Sequence, residues 1–213
     1  MHLSRLGGGV SMLRIGITGG IGSGKSIVCN YFEKLQVPLY HADDEATRLI
    51  DHNLKIRKKI ISFFGEDAYA KKGLNKAVIR QRVFNDQKAL TVLNAITHPP
   101  LMKHFNDWCA AQKKQKHPFI IKEAALVFES NSYQMLDFVV CVVAPLETRI
   151  SRVMQRDGKT RVEVERIINK QWSDEEKIKR SDFVIQNPDD ELLLPQILIL
   201  HDLILKKSAL YGK

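Results

Sequence analysis

Gly19-Gly20-Ile21-Gly22-Ser23-Gly24-Lys25-Ser26 fits the pattern G-x-x-x-x-G-K-[ST] at each fixed position. Residues of these types at this spacing bind polyphosphate. Glycines permit backbone conformations in which consecutive N–H groups converge on one anion. The expected donors run from Gly20 through Ile21, Gly22, Ser23, Gly24, Lys25 and Ser26 to the backbone N–H of Ile27. The Lys25 ammonium would bridge the outer phosphates as a mobile charge, and the Ser26 hydroxyl is the expected protein ligand of Mg²⁺. The bland alternative is a glycine-rich turn with a coincidental Lys-Ser. A nucleoside triphosphate is the ligand that motif and context together point to.

The elements around the loop supply that context. The apolar run Met12–Thr18 reads as a buried strand and the segment from Ser26 to Leu35 as a helix. A helix start adds unpaired donors and partial positive charge beneath an anion. A second short strand, Val37–Tyr40, runs into His41-Ala42-Asp43-Asp44, and largely helical patterns follow from Asp44 to Lys114. Within them Gly65 reads as a helix C-cap, Gly73 as a turn, and Asn75 and Asn85 as N-caps. His98-Pro99-Pro100 interrupts the pattern, with Pro100 in the first turn of the next helix. Strand signals return at Phe119–Lys122 and at Phe138–Val143, the latter a continuous apolar run suited to a central parallel strand. Pro145 opens a helix that ends near Gly158. Thr160-x-x-Glu163 and Ser173-x-x-Glu176 are capping-box patterns. Phe183–Ile185 is a last short strand, before a closing helix from about Asp189 to Lys207. Strands alternating with helices argue for a parallel α/β sheet. The helical stretch between the second and third strands is too long for a simple crossover and reads as an inserted substrate-binding subdomain. The charged helices between about Leu146 and Arg180 read as a lid.

Composition narrows the partners. The chain has 213 residues, 44% of them hydrophobic, with a net charge of +9 and a pI near 9.5. That balance suits a polyanionic ligand. Nucleic acid is not expected, because no zinc spacing, RNA-recognition aromatic motif or basic tail is present, and the basic clusters at Lys55–Lys59 and Lys113–Lys116 read as solvated surface. Cys29, Cys109 and Cys141 are too far apart for C-x-x-C pairing, which fits reduced, buried thiols in a cytoplasmic protein. The most apolar stretch, Leu192–Leu205, is broken by Pro195, Gln196, His201 and Asp202, so no membrane span is expected. Residues 1–11 lack a signal-peptide core and read as a disordered or artefactual extension ahead of Met12.

In order along the chain, the pieces Ile17–Ser26, Val37-Pro38 leading to Ala42-Asp43, His98-Pro99, Leu126–Glu129, Arg156-Asp157-Gly158, Gln171 and Asp182–Asn187 resemble the dephospho-coenzyme A kinase family. The similarity runs from Arg14 to about Asn187. It implies transfer of the ATP γ-phosphoryl group to the ribose 3′-hydroxyl of dephospho-coenzyme A, with Mg²⁺ required. The implied fold is a three-layer α/β sandwich like that of P-loop nucleoside-monophosphate kinases, with a five-stranded parallel sheet, a helical substrate-binding insertion and a helical lid. Residues 12–213 then form one kinase unit. Its core is 12–43, 117–145 and 181–207, its acceptor-binding subdomain 44–116 and its lid 146–180. A monomer or weak homo-oligomer is expected.

Asp43 matches the second acidic position of the family's Asp-Ala-Asp motif and falls at the end of the second strand, where ligands of open α/β sheets bind. There it would orient the attacking hydroxyl; alternatively it only caps the following helix. His41 departs from the pattern, standing where the family usually has the first Asp. Glu123, where many relatives carry Asp, would contact the acceptor or hold Mg²⁺ through water, or serve a surface or capping role. Ile27 takes a position that often carries a hydroxyl. Arg152 and Arg156 match the family's lid arginines, share a helix face and would stabilise the transferring phosphoryl group. Asn187 would lie near adenine, unless it only forms a turn before Pro188. His98 would contact the acceptor's phosphate or ribose, or merely stop a helix. The main rival is another P-loop small-molecule kinase with a nucleoside monophosphate, nucleoside or shikimate-like acceptor. A regulatory GTPase is disfavoured by the lack of Asn-Lys-x-Asp.

Overall fold

The computed structural model describes residues 12–71, 73–84 and 86–211. The expectations for residues 1–11 and for Asn85 lie outside them. The chain forms two compact units, Met1–His41 with Gln112–Lys213, and Ala42–Ala111.

In the first unit, β1 (Leu13–Thr18), α1 (Lys25–Lys34) and β2 (Leu39–His41) precede the second unit. In that second unit lie α2 (Ala42–His52), α3 (Leu54–Phe64), β3 (Tyr69–Ala70), β4 (Gly73–Leu74), α4 (Lys76–Val83) and most of α5 (Gln87–Lys114). The first unit resumes with β5 (Phe119–Glu123), β6 (Phe138–Val143), α6 (Leu146–Asp157), α7 (Arg161–Ile168), α8 (Asp174–Arg180), β7 (Phe183–Gln186) and α9 (Leu193–Tyr211).

Its sheet has the order β2-β5-β1-β6-β7, and each neighbouring pair is parallel. Apolar, mostly β-branched residues make these strands, and both faces are covered. Ile15, Ile17, Ile121, Val140 and Val142 are fully buried in one core with Val28, Cys29 and Phe32 of α1 and Ile197 and Ile204 of α9. Two carboxylates set the strand starts. Asp137 Oδ2 accepts from Arg14 N at 2.7 Å, and Asp182 Oδ2 accepts from Val139 N at 2.8 Å. Burial raises the Asp137 pKa, more than the bond from the Arg14 N–H lowers it. Because all five strands run the same way, Thr18, His41, Glu123, Val143 and Gln186 end at one edge. The glycine loop leaves β1 there, between β5 and β6, the place where open parallel sheets bind ligands.

The helical unit has its own core of Ile56, Ile60, Phe64, Ala68, Tyr69, Ile79 and Ala89. Gly65 is the C-cap of α3 at φ 85°, and Asn75 caps α4 by accepting from Val78 N. At α5 the cap is Asp86, whose Oδ1 accepts from Ala89 N at 2.9 Å. A small antiparallel hairpin, β3–β4, interrupts the helices where only a turn was expected; Asp51 Oδ1 pins it by accepting from Leu74 N at 2.7 Å. The expected helix break at His98-Pro99-Pro100 is corrected: α5 continues through both prolines. They forgo the N–H bonds to Ala95 and Ile96. The Thr97 hydroxyl donates to Leu93 O, and buried Ala89, Thr97, Phe105 and Cys109 lie on either side of the prolines. Among the described residues no helix is long and apolar enough to cross a membrane.

Candidate active site

The glycine loop spans the gap between β1 and α1. Gly22 and Gly24 hold φ of 79° and 92°, a region that favours glycine, and a Cβ on either would collide with neighbours. At Gly22 the obstacle is the Arg149 backbone; at Gly24 it is the Asn187 side-chain amide.

The loop's N–H groups fall into two sets. Ile21 N donates to Gln171 Oε1 at 2.9 Å, Ser23 N to Gly20 O at 3.2 Å, and Ile27 N to Gly24 O at 3.0 Å. In this structure these three are therefore spent within the protein. The Gly22, Gly24 and Ser26 N–H groups make no hydrogen bond among the described residues. Alternate donors thus remain for one anion at the start of α1, the arrangement of an anion nest. Gly20, which leads into the loop, has its α-carbon against the Arg149 guanidinium, where a Cβ would clash. Lys25 Nζ arches back over the loop to Gly19 O at 3.0 Å and Gly20 O at 3.3 Å. Ser26 and the Ile27 side chain are exposed, whereas the Ser23 hydroxyl is buried without a hydrogen-bond partner.

The α6–α8 segment and the end of β7 hold the loop in place. Asn187 is buried, and its side-chain amide donates to Ser23 O at 2.8 Å. The side chain is thus a strut beneath the loop. Arg152 NH2 donates to Asn187 O at 3.1 Å and to Asp189 Oδ1 at 2.7 Å. Its NH1 is buried, lacks a hydrogen-bond partner and sits within 3.8 Å of where a Gly24 Cβ would be. Arg156 is not brought to the loop. It forks onto Asp157 at 2.7 and 3.1 Å and is largely exposed, holding the Asp157 carboxyl down at about 2 with help from Lys159.

Arg149 has no role in the sequence reading. It is 5% exposed, pairs with Asp174, and donates from Nε to Ile21 O at 3.0 Å. A signal existed: Arg149 falls in phase with buried Ile150 and Val153, on the apolar face of α6.

On the other side of the loop, Glu123 pairs in register with Ile17 and with His41. Glu123 Oε2 lies 2.7 Å from His41 Nδ1, and His41 Nε2 is 3.9 Å from Glu33 Oε1. His41 and Glu123, two of the positions that depart from the family's pattern, therefore touch each other. Burial chiefly, with Glu123 nearby, pushes the Cys29 thiol well above its usual range.

Asp43 belongs to the helical unit. It is exposed in the first turn of α2 with Asp44 and Glu45, inside the helix rather than at its cap. His98 is exposed in mid-α5 and stops no helix. Trp172 stacks on Phe128 at 6.0 Å and 5°, with Arg180 over its ring at 4.7 Å.

Oxygen donors suit Mg²⁺, which keeps water and substrate phosphates as most of its ligands. Ser26 Oγ and the Glu123 carboxylate provide that chemistry, and no group of three or more His, Cys, Asp or Glu that could hold a metal occurs among the described residues.

Comparison with known proteins places this arrangement. The family model for dephospho-CoA kinase matches residues 13–192. A dephospho-CoA kinase of Bacteroides fragilis is 37% identical over 188 residues, 88% of this chain and 91% of its own. One from Chlorobium chlorochromatii is 35% identical over 204 residues, 93% and 96% of the two chains. Among solved structures, TT1252 of Thermus thermophilus superposes with a TM-score of 0.78 at 29% identity, covering 92% of this chain and 97% of that one. A dephospho-CoA kinase from Campylobacter jejuni gives 0.68 at 27%, covering 92% and 98%. With its glycine loop, its parallel sheet and this match over most of its length, the chain belongs to the dephospho-CoA kinase family.

Proposed function

We propose that the protein transfers the γ-phosphoryl group of ATP to the ribose 3′-hydroxyl of dephospho-coenzyme A, giving coenzyme A and ADP. The observation that carries the reading is the loop with three unspent N–H groups and Lys25 at the carboxyl edge of the sheet, in a chain of this family. The Gly22, Gly24 and Ser26 amides bind the polyphosphate, and Lys25 swings from the Gly19 and Gly20 carbonyls to the outer phosphates. Ser26 and Glu123 would hold Mg²⁺, Glu123 through water, and His41 fixes the Glu123 carboxylate. The ion supplies neutralisation of the β- and γ-phosphate oxygens when bound. Arg152, whose spare NH1 lies beside Gly24, stabilises charge on the transferring group, and Arg156 stays on Asp157.

Asp43 accepts the proton of the 3′-hydroxyl and orients the oxygen for in-line attack. It stands two positions beyond the end of β2. The helical unit, with His98, takes the acceptor. Buried Cys29, Cys109 and Cys141, which form no disulfide among the described residues, suit a reducing, cytoplasmic setting. Neither a monomer nor a weak oligomer conflicts with this chemistry, which draws on one chain.

The test is a panel of acceptors incubated with the protein and Mg-ATP, with products identified by mass spectrometry. Phosphorylation of dephospho-coenzyme A on its 3′-hydroxyl is expected. Transfer to adenosine monophosphate and none to dephospho-coenzyme A would overturn the assignment in favour of a nucleoside monophosphate kinase.

A further inference from the structure

We propose that Gln171 is a positioning residue for ATP, acting through the Ile21 peptide; the proposal rests on the glycine loop binding ATP. Both polar groups of Ile21 are gripped by side chains from the α6–α8 segment. Gln171 Oε1 accepts its N–H at 2.9 Å, and Arg149 Nε donates to its carbonyl at 3.0 Å. Ile21 lies between Gly20 and Gly22, which tolerate several backbone conformations, so local sequence alone leaves the two peptide units that meet at Ile21 free to rotate. Turned one way, Ile21 N–H is spent on Gln171, and the Ile21 carbonyl on Arg149 leaves the Gly22 N–H of the same unit free for phosphate. Turned the other, the alternation of spent and unspent donors is lost. The clamp selects the first orientation before the nucleotide arrives, and such preorganisation appears as affinity.

The clamp is itself fixed. Gln171 N donates to Ile168 O at 3.0 Å, and the next N–H, that of Trp172, donates to Glu129 Oε1 at 3.0 Å. Trp172 stacks on Phe128. Asp174 holds Arg149, and Lys177, one turn later on α8, is fully buried 3.4 Å from Glu129. Residues 171–177 are thus a strap fastened to the loop on one side and to the segment after β5 on the other. The residue types fit the task. A neutral amide accepts the N–H without setting a negative charge beside phosphate, and Asp174 cancels the charge of Arg149.

The test combines amide hydrogen exchange with calorimetric titration of Mg-ATP on wild type, Gln171→Leu and Gln171→Glu. In wild type the Ile21 amide is protected and Mg-ATP binds. Gln171→Leu keeps the volume but removes the acceptor. It should lose Ile21 protection while the β1 and β6 amides stay protected, and weaken ATP binding about tenfold, the scale of one hydrogen bond. The KM for dephospho-coenzyme A should stay within about twofold. Gln171→Glu keeps the acceptor and should keep Ile21 protected. Unchanged ATP affinity in Gln171→Leu, equal weakening toward both substrates, or loss of Ile21 protection in Gln171→Glu would each overturn the positioning role. Failure of wild type to bind Mg-ATP would instead remove the reading on which the proposal rests.

Discussion

Lys177→Met puts the buried charges of the strap to a quantitative test. Lys177 is fully buried, its Nζ lies 3.4 Å from Glu129 Oε1, and Nζ and Glu129 Oε2 both lack a hydrogen-bond partner. At that separation, and an effective dielectric constant near 20, the attraction is about 5 kcal/mol. Desolvation costs several kcal/mol per ion, so the intact pair is close to neutral for stability. Removing one partner leaves Glu129 buried and uncompensated, which costs about 3–5 kcal/mol. For a chain of this length that is a fall in Tm of roughly 6–20 °C. Glu129→Gln should cost a comparable amount by stranding Lys177, while still accepting the Trp172 N–H. The double variant Lys177→Met/Glu129→Gln should recover most of the loss, with a coupling energy of at least about 2 kcal/mol. The assay is urea unfolding followed by Trp172 fluorescence in a Trp108→Phe background, so that the reporter sits beside the pair. A Lys177→Met cost below about 1 kcal/mol, or additive single costs in the double variant, would refute the reasoning.

Four further outcomes are expected. Asp43→Asn should lower kcat by about 10²–10⁴-fold with the ATP KM near normal, the mark of lost proton acceptance; unchanged turnover in a steady-state assay would clear Asp43. Gly24→Ala should abolish Mg-ATP binding by calorimetry, because the backbone is at φ 92° and the methyl would run into the Asn187 amide. Arg156→Ala should release the Asp157 carboxyl from about 2 toward its ordinary range in a carbon-detected titration. Because the folded-state value is depressed, this contact supports the fold above the ordinary carboxylate pKa and is lost as pH falls through about 2. At neutral pH no thiol should react rapidly with an aromatic disulfide reagent before unfolding. All three cysteines are buried, and desolvation, with Asp174 nearby, pushes the Cys141 thiol up to about 11.

The sequence alone determined whatever depends on contiguous residues. The glycine loop with Lys25 and Ser26, the apolar β6 run, the Thr160–Glu163 box and the αL cap at Gly158 are local, since backbone geometry and helix-end chemistry act over a few positions. Tertiary structure decided the rest. It carried α5 through Pro99-Pro100, because packing on both sides outweighs two missing hydrogen bonds. It turned Asn187 into a strut, joined His41 to Glu123 across neighbouring strands, and parted Arg152 from Arg156 although four positions on one helix face had grouped them. It also gave Arg149 and Gln171 their hold on Ile21, at separations of 128 and 150 residues. Which partner satisfies a buried polar group depends on what the fold brings within 3 Å of it, and spacing along the chain carries no record of that.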